Sequence, residues 1–169
     1  MVRMLAIVCM LAAAFFRSAA HAADLDLDRL TGLYTHGFIN GRIDGSKYWS
    51  DDALEIVKLS PSTAYIHADL KFFNGHQCSI FGVAEVEGSS LIYREPGTQC
   101  ELGLSIGDGK ITFNDKESRC RAETCGMRGM YTGQSFELSS RRPISYMPKL
   151  LASSQYVAAI QEHQARREK

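Results

Sequence analysis

Surplus charge of either sign is missing from this sequence, in which 19 Lys and Arg stand against 19 Asp and Glu. Bulk nucleic-acid binding is thereby excluded, because it needs excess cations to displace the counterions of phosphates. Proline is scarce, at 4 in 169 residues, and no repeated or low-complexity tract occurs. With 45% hydrophobic and 22% charged residues, the composition is not that of a disordered, collagen-like or coiled-coil chain. No apolar run is long enough to cross the ~30 Å of a bilayer's hydrocarbon. The longest, Met4 to Phe16, is ended by Arg17. N-x-[ST] sequons are absent as well, which is compatible with a bacterial exported protein.

The apolar run reads instead as the centre of a secretory signal over residues 1–22. Arg3 supplies the positive n-region, and Ala20-His21-Ala22 matches the small-x-small cleavage pattern, with the cut expected after Ala22. Cys9 is not read as a lipid-attachment cysteine, because the bulky Val8 precedes it. Cleavage leaves 147 residues (169 − 22) and removes Arg3 and Arg17, so 17 Lys and Arg (19 − 2) face 19 acids, a formal charge of −2. The mature chain keeps Cys78, Cys100, Cys120 and Cys125. An even number of cysteines in an exported chain implies two disulfides formed in an oxidising compartment. The expected location is periplasmic or secreted, with no membrane span after cleavage.

Along the mature chain, Gly32-Leu33-Tyr34 opens a strand, and residues 40–52 read as a loop holding Tyr48 and the single Trp49. Leu54 to Leu59 is strand-like. Residues 63–73 carry the clearest period-2 pattern, with Ala64, Ile66, Ala68, Leu70 and Phe72 on a buried face and Tyr65, His67, Asp69, Lys71 and Phe73 on a mostly wet one. Asn74-Gly75 is a strong hairpin signal. Further short strands follow over 76–86, 91–94, 100–106 and 110–113. Such spacing predicts a mainly-β fold, a single antiparallel meander barrel or sandwich of seven or eight strands. Residues 148–169 lack turn formers, carry Leu150, Val157 and Ile160 at helical intervals, and read as one C-terminal helix packed on the domain over 23–147. For the cysteines, the inward parity of Cys78 and Cys100 favours a Cys78–Cys100 bridge, with Cys120–Cys125 closing a local loop.

Catalytic constellations are weak. Gly103-Leu104-Ser105-Ile106-Gly107 matches G-x-S-x-G, but Ser105 lies within an alternating strand instead of a strand–turn–helix elbow, and its candidate partner His163 is on the terminal helix. His67, Asp69 and Lys71 share one strand face, as a solvated face also would. A cysteine nucleophile is disfavoured where every cysteine can pair, and no metal or cofactor is expected.

The densest segment is Ser118 to Gly133 (SRCRAETCGMRGMYTG), which packs two Cys, Arg119, Arg121, Arg128 and three Gly into sixteen residues. A disulfide-pinned loop with glycines can present Arg128 outward in one pose to a carboxylate or phosphate, and pre-ordering reduces the entropy lost on binding. The binding residues expected are Arg128, Arg121, Arg119, Met127 and Tyr131, with Tyr48 and Trp49 as a second surface. The expected function is that of an exported, non-enzymatic protein binder, in the manner of small disulfide-bonded inhibitors of hydrolases such as lysozyme. Two alternatives stand beside it: a carrier with an apolar cavity lined by Ile66, Leu70, Ile80, Leu102 and Phe113, and a hydrolase using His67, Asp69 or Ser105.

Overall fold

A computed structural model describes residues 25–168; the expected signal, at 1–22, lies outside the described residues. Eight strands follow one another: β1 (Gly32–Gly41), β2 (Lys47–Lys58), β3 (Thr63–Lys71), β4 (Gln77–Glu87), β5 (Ser90–Arg94), β6 (Glu101–Gly107), β7 (Lys110–Asp115) and β8 (Ser135–Glu137). Each pairs antiparallel with the next in sequence order. The sheet curls into a nearly closed barrel. Its first and last segments meet at Leu33 and Arg142, which exchange two main-chain hydrogen bonds of 2.9 and 2.8 Å.

Alternation decides which side chains fill the barrel. Tyr34, Leu54, Ile66, Leu70, Ile80, Tyr93, Leu102, Leu104, Ile111 and Phe113 all point inward and are buried in one cluster. One end is plugged by a short helix, α1 (Leu27–Leu30), which buries Leu27 and Leu30 and whose Leu30 carbonyl accepts the Tyr34 hydroxyl at 2.7 Å. The turn at Asn74-Gly75 forms as its residues dictate, both in the left-handed region at φ 60° and 74°.

Three expectations about the elements change. Residues 40–52 are not a loop: only 42–46 turn, and Tyr48 and Trp49 stand on β2. The polar residues that suggest a loop, Asn40, Ser50 and Asp52, are buried there and satisfied. The Asn40 amide donates to Ser50 Oγ at 3.2 Å, and Asp52 Oδ1 accepts the Lys71 N–H at 2.6 Å. The C-terminal helix is two helices, α3 (Met147–Leu151) and α4 (Ser154–Arg167), divided where Ser153 caps α4 by accepting the Tyr156 N–H. The outer face of β3 is consequently not wet throughout. Ile144, Leu150 and Ala159 cover Tyr65 and Val83, and Tyr156 lies 4.9 Å from the Tyr65 ring.

The disulfides join Cys78 to Cys125 and Cys100 to Cys120, which overturns the expected pairing. The reason lies in β5. It is short and pairs with β4 only over Ala84–Glu87, so β4 from Gln77 to Val83 has no strand beside it on that side. A helix, α2 (Arg119–Thr124), leads the chain into that space, and Cys125 meets Cys78 as an isolated antiparallel bridge. Cys78 and Cys100 belong to strand positions two spacings apart, ~9.6 Å and too far to bond. Cys120 and Cys125 lie near opposite ends of α2, about 7.5 Å apart along its axis.

Candidate functional site

At the end of the barrel opposite α1, three segments distant in sequence lie together: the β1–β2 turn at 42–46, the β3–β4 turn at 73–76, and the loop at 125–134. The first two are stitched by two main-chain donors and one side-chain amide. Gly75 N–H reaches the Tyr48 hydroxyl at 3.2 Å, Ile43 N–H reaches Asn74 Oδ1 at 3.4 Å, and the Asn40 amide donates to the Phe72 carbonyl at 3.0 Å. The loop joins through Gly126, whose N–H donates to the Gln77 carbonyl at 2.7 Å. Phe73 then links all three, with its ring against Gly41 on one side and the Arg128 guanidinium 5.2 Å from its centroid on the other.

The loop is fixed from several directions. Asp115, buried at the end of β7, caps α2: its Oδ1 accepts Cys120 N–H at 2.9 Å and its Oδ2 accepts Arg121 N–H at 2.8 Å. Arg121 in turn clasps the loop, donating from Nε to the Gly129 carbonyl at 2.8 Å and from Nη2 to the Met127 carbonyl at 3.0 Å. Gly129 lies so close to the disulfide that a Cβ there would stand 2.5 Å from Cys78 Sγ. Only glycine permits that approach. The result is a loop whose main chain is held and whose two tip side chains project: Met127 is 84% exposed, and Arg128 makes no ion pair among the described residues.

The residues expected from sequence therefore divide. Arg128 and Met127 are surface groups at the loop tip. Arg121 is bound to the loop's own carbonyls, which makes it a brace. Arg119 is paired with Glu117 and Gln99 at the start of α2. Tyr131 is fully buried, its hydroxyl sharing a hydrogen bond with Thr124 Oγ1 at 2.7 Å and its ring stacked near Phe113, so it belongs to the core. Tyr48 is half-buried beneath the Arg42 guanidinium, 4.3 Å from its ring centre. Trp49 is exposed on the outer face, where its Nε1 donates to Asp51 Oδ2 at 2.9 Å.

Sequence reasoning missed Phe73, Ile43 and Met130, all exposed at this end. The alternation over 63–73 already places Phe73 on the wet face, but nothing in the sequence brings it to Arg128, which only the turn at Phe73–Gly75 does.

Other candidates are not assembled. His67 Nδ1 lies 3.0 Å from Glu55 Oε2, and the Tyr146 hydroxyl donates to Glu55 Oε1. Burial of Glu55 pushes its carboxyl up, but these hydrogen bonds outweigh burial and hold it below its ordinary value. Asp69 instead pairs with Lys71 at 2.7 Å. Ser105 bonds with Ser90 at 3.2 Å on β6, three strands from His67 and thus ~14 Å around the sheet. No hydrogen bond spans that distance. The five side chains named for a carrier cavity belong to one buried cluster that also holds Tyr34, Tyr93 and Tyr131. No group of three or more metal-ligating side chains occurs among the described residues. No family model, curated protein or solved structure matches the chain.

Proposed function

We propose that this is an exported, non-enzymatic binding protein of the bacterial periplasm or cell exterior. It recognises another protein, a hydrolase of the lysozyme kind, by placing the loop around Arg128 in the partner's acidic cleft. One observation carries the reading: Arg128 is held in a braced loop, at an end rich in exposed apolar side chains, with no carboxylate paired to it among the described residues. An unpaired guanidinium stacked on an aromatic ring is desolvated at little extra cost when a carboxylate meets it bidentately. Phe73, Met127 and Ile43 supply the apolar surround that excludes water from such a pair. Two disulfides suit the oxidising compartment the reading requires.

The test is inhibition of a panel of purified lysozymes by the oxidised chain from Ala23, with affinities for the wild type, Arg128→Ala and Phe73→Ala. Loss of a central arginine is expected to weaken binding by about 30-fold, the scale of a hot-spot residue. Phe73→Ala is expected to weaken it less, because it removes Arg128's support and leaves its charge. A panel without inhibition, or an Arg128→Ala chain that inhibits as well as wild type, overturns the proposal.

A further inference from the structure

The two disulfides differ in what can reach them. Cys100 and Cys120 are both buried in the barrel cluster, at 2% and 0% exposure. Each is also anchored independently of its bridge: Cys100 N–H donates to Thr98 Oγ1 at 3.1 Å, and Cys120 N–H to Asp115 Oδ1 at 2.9 Å. In the outer pair, Cys78 is buried on β4, opposite Leu70 of β3. Cys125 is the one half-buried member of the four, and with Arg121, Gly126 and Met127 it lines a surface pocket of about 260 Å³. A thiolate from solvent therefore has a path to the outer bridge and none to the inner one.

The outer bridge also sets where the loop stands. Gly129 is wedged against both of its halves: a Cβ there would lie 2.5 Å from Cys78 Sγ and 3.1 Å from Cys125 Cβ. Two bonded sulfurs stand ~2.05 Å apart, whereas two thiols must withdraw to non-bonded contact. Cys78 is fixed in the β3–β4 ladder. Cys125 follows the end of α2 on a single N–H bond, to the Arg121 carbonyl at 3.1 Å. Reduction therefore displaces Cys125 instead of Cys78. The turn beyond it moves too, since Gly129 N–H closes onto the Gly126 carbonyl at 2.8 Å with Met127 and Arg128 at the corner.

We propose that Cys78–Cys125 is a reducible clasp on the Arg128 loop, opened by exchange with a dithiol and closed again by oxidation, while Cys100–Cys120 keeps the barrel folded. As a regulation of binding, this rests on the reading of the loop as the recognition site. One thiolate of the dithiol attacks Cys125 Sγ, which breaks the Cys78–Cys125 bond and forms a mixed disulfide; Cys78 leaves as a thiolate and takes up a proton. The second thiolate of the dithiol then attacks its partner sulfur in the mixed disulfide and releases Cys125. Two electrons and two protons pass from the dithiol, which ends as a disulfide, to the protein, which ends with two thiols. The Arg121 guanidinium, in the same pocket as Cys125, favours the released thiolate.

Timed exposure of the oxidised chain from Ala23 to dithiothreitol tests this, with iodoacetamide as quench and mass spectrometry of the peptides giving the order in which the cysteines are freed. Cys78 and Cys125 are expected to open at least about tenfold faster than Cys100 and Cys120, because a buried bridge must wait for local opening. The isolated two-thiol species is expected to keep the amide spectrum of the barrel, and trypsin to cut it after Arg128 at least about tenfold faster than the oxidised chain. Cys78→Ser/Cys125→Ser, which carries no alkyl group, is expected to be cut equally fast. Re-oxidation of the unalkylated species restores slow cleavage. In the lysozyme assay, the two-thiol species inhibits more weakly than the oxidised chain. A panel that the oxidised chain does not inhibit overturns the binding reading and the regulation that rests on it, whereas the order of opening and the cleavage rates decide the clasp without any partner. Three outcomes overturn the clasp: Cys100–Cys120 opening first or together with the outer bridge, loss of the barrel spectrum in the two-thiol species, or cleavage after Arg128 that reduction does not change.

Discussion

Removing the outer disulfide tests both the fold and the site. Cys78–Cys125 closes a loop with a sequence separation of 47, and Cys100–Cys120, with a separation of 20, is nested inside it. With the inner bridge intact, the outer one constrains only the difference, about 27 residues, for which chain-entropy arguments give about 3.5 kcal/mol. The inner bridge, over its own 20 residues, is worth about 3 kcal/mol on the same scale. The two double variants, Cys78→Ala/Cys125→Ala and Cys100→Ala/Cys120→Ala, should thus lose similar stability. At about 2 kcal/mol per molar of urea, each midpoint falls by about 1.5–2 M.

Their effects on the loop should differ. Cys125 is the hinge from which the loop leaves α2, and Gly129 rests on the sulfur of Cys78, so only the outer variant releases Met127 and Arg128. In the inner variant, Asp115 still caps α2 and Arg121 still clasps the loop. Trypsin acting after Arg128 reads this directly, and cleavage should accelerate at least about tenfold in the outer variant alone, in line with the local opening free energy released. Equal proteolysis in the two variants, or a midpoint shift below about 0.5 M for the outer one, would refute the reasoning. The same protease verifies the pairing. It cuts after Arg119 and Arg121, separating Cys120 from Cys125, so non-reducing digestion should yield the Cys125 peptide joined to that of Cys78.

Three further outcomes follow from the packing. Asp115→Ala leaves two main-chain donors of α2 without an acceptor in a buried place, and chemical denaturation should show a loss of about 2–4 kcal/mol. Gly82→Ala places a Cβ 2.1 Å from the ring of Tyr93, which is buried. The overpacking should cost about 1–3 kcal/mol, seen by calorimetry as a lowered Tm. Glu55, whose carboxyl is held below the ordinary 4.5 by His67 and Tyr146 despite burial, contributes stability that is present above that value and lost as the pH falls through and beneath it. Glu55→Gln should flatten the acid limb of the stability profile, and an unchanged limb would show that the hydrogen bonds do not favour the charged form.

The strands were legible because a barrel with one buried face writes itself as alternation: Ala64 to Leu70 reads as a strand whatever surrounds it, and Asn74-Gly75 names its own turn. Legibility failed wherever the inward face is polar. Asn40, Ser50 and Asp52 carry the composition of a loop, and only their cross-strand partners make them a strand interior. The helix break at Ser153 escaped notice because Ala152 and Ser153 are unremarkable within a helix, whereas the capping bond to Tyr156 is decisive.

The disulfides failed for a different reason. Parity along a strand is local, but pairing depends on which element lies beside Cys78, and that depends on β5 ending early. The same non-locality explains the site. A cluster of Arg, Gly and Cys announces a constrained loop, yet composition does not say which arginine braces and which projects. Arg121 and Arg128 differ only in what surrounds them: the first finds two carbonyls of its own loop, the second finds Phe73 from a turn some fifty residues earlier in the chain. A residue's role at such a site is a property of the contacts between segments, so Arg128 becomes the testable cation because Phe73 and the Cys78–Cys125 bridge bring it to the exposed end of the barrel.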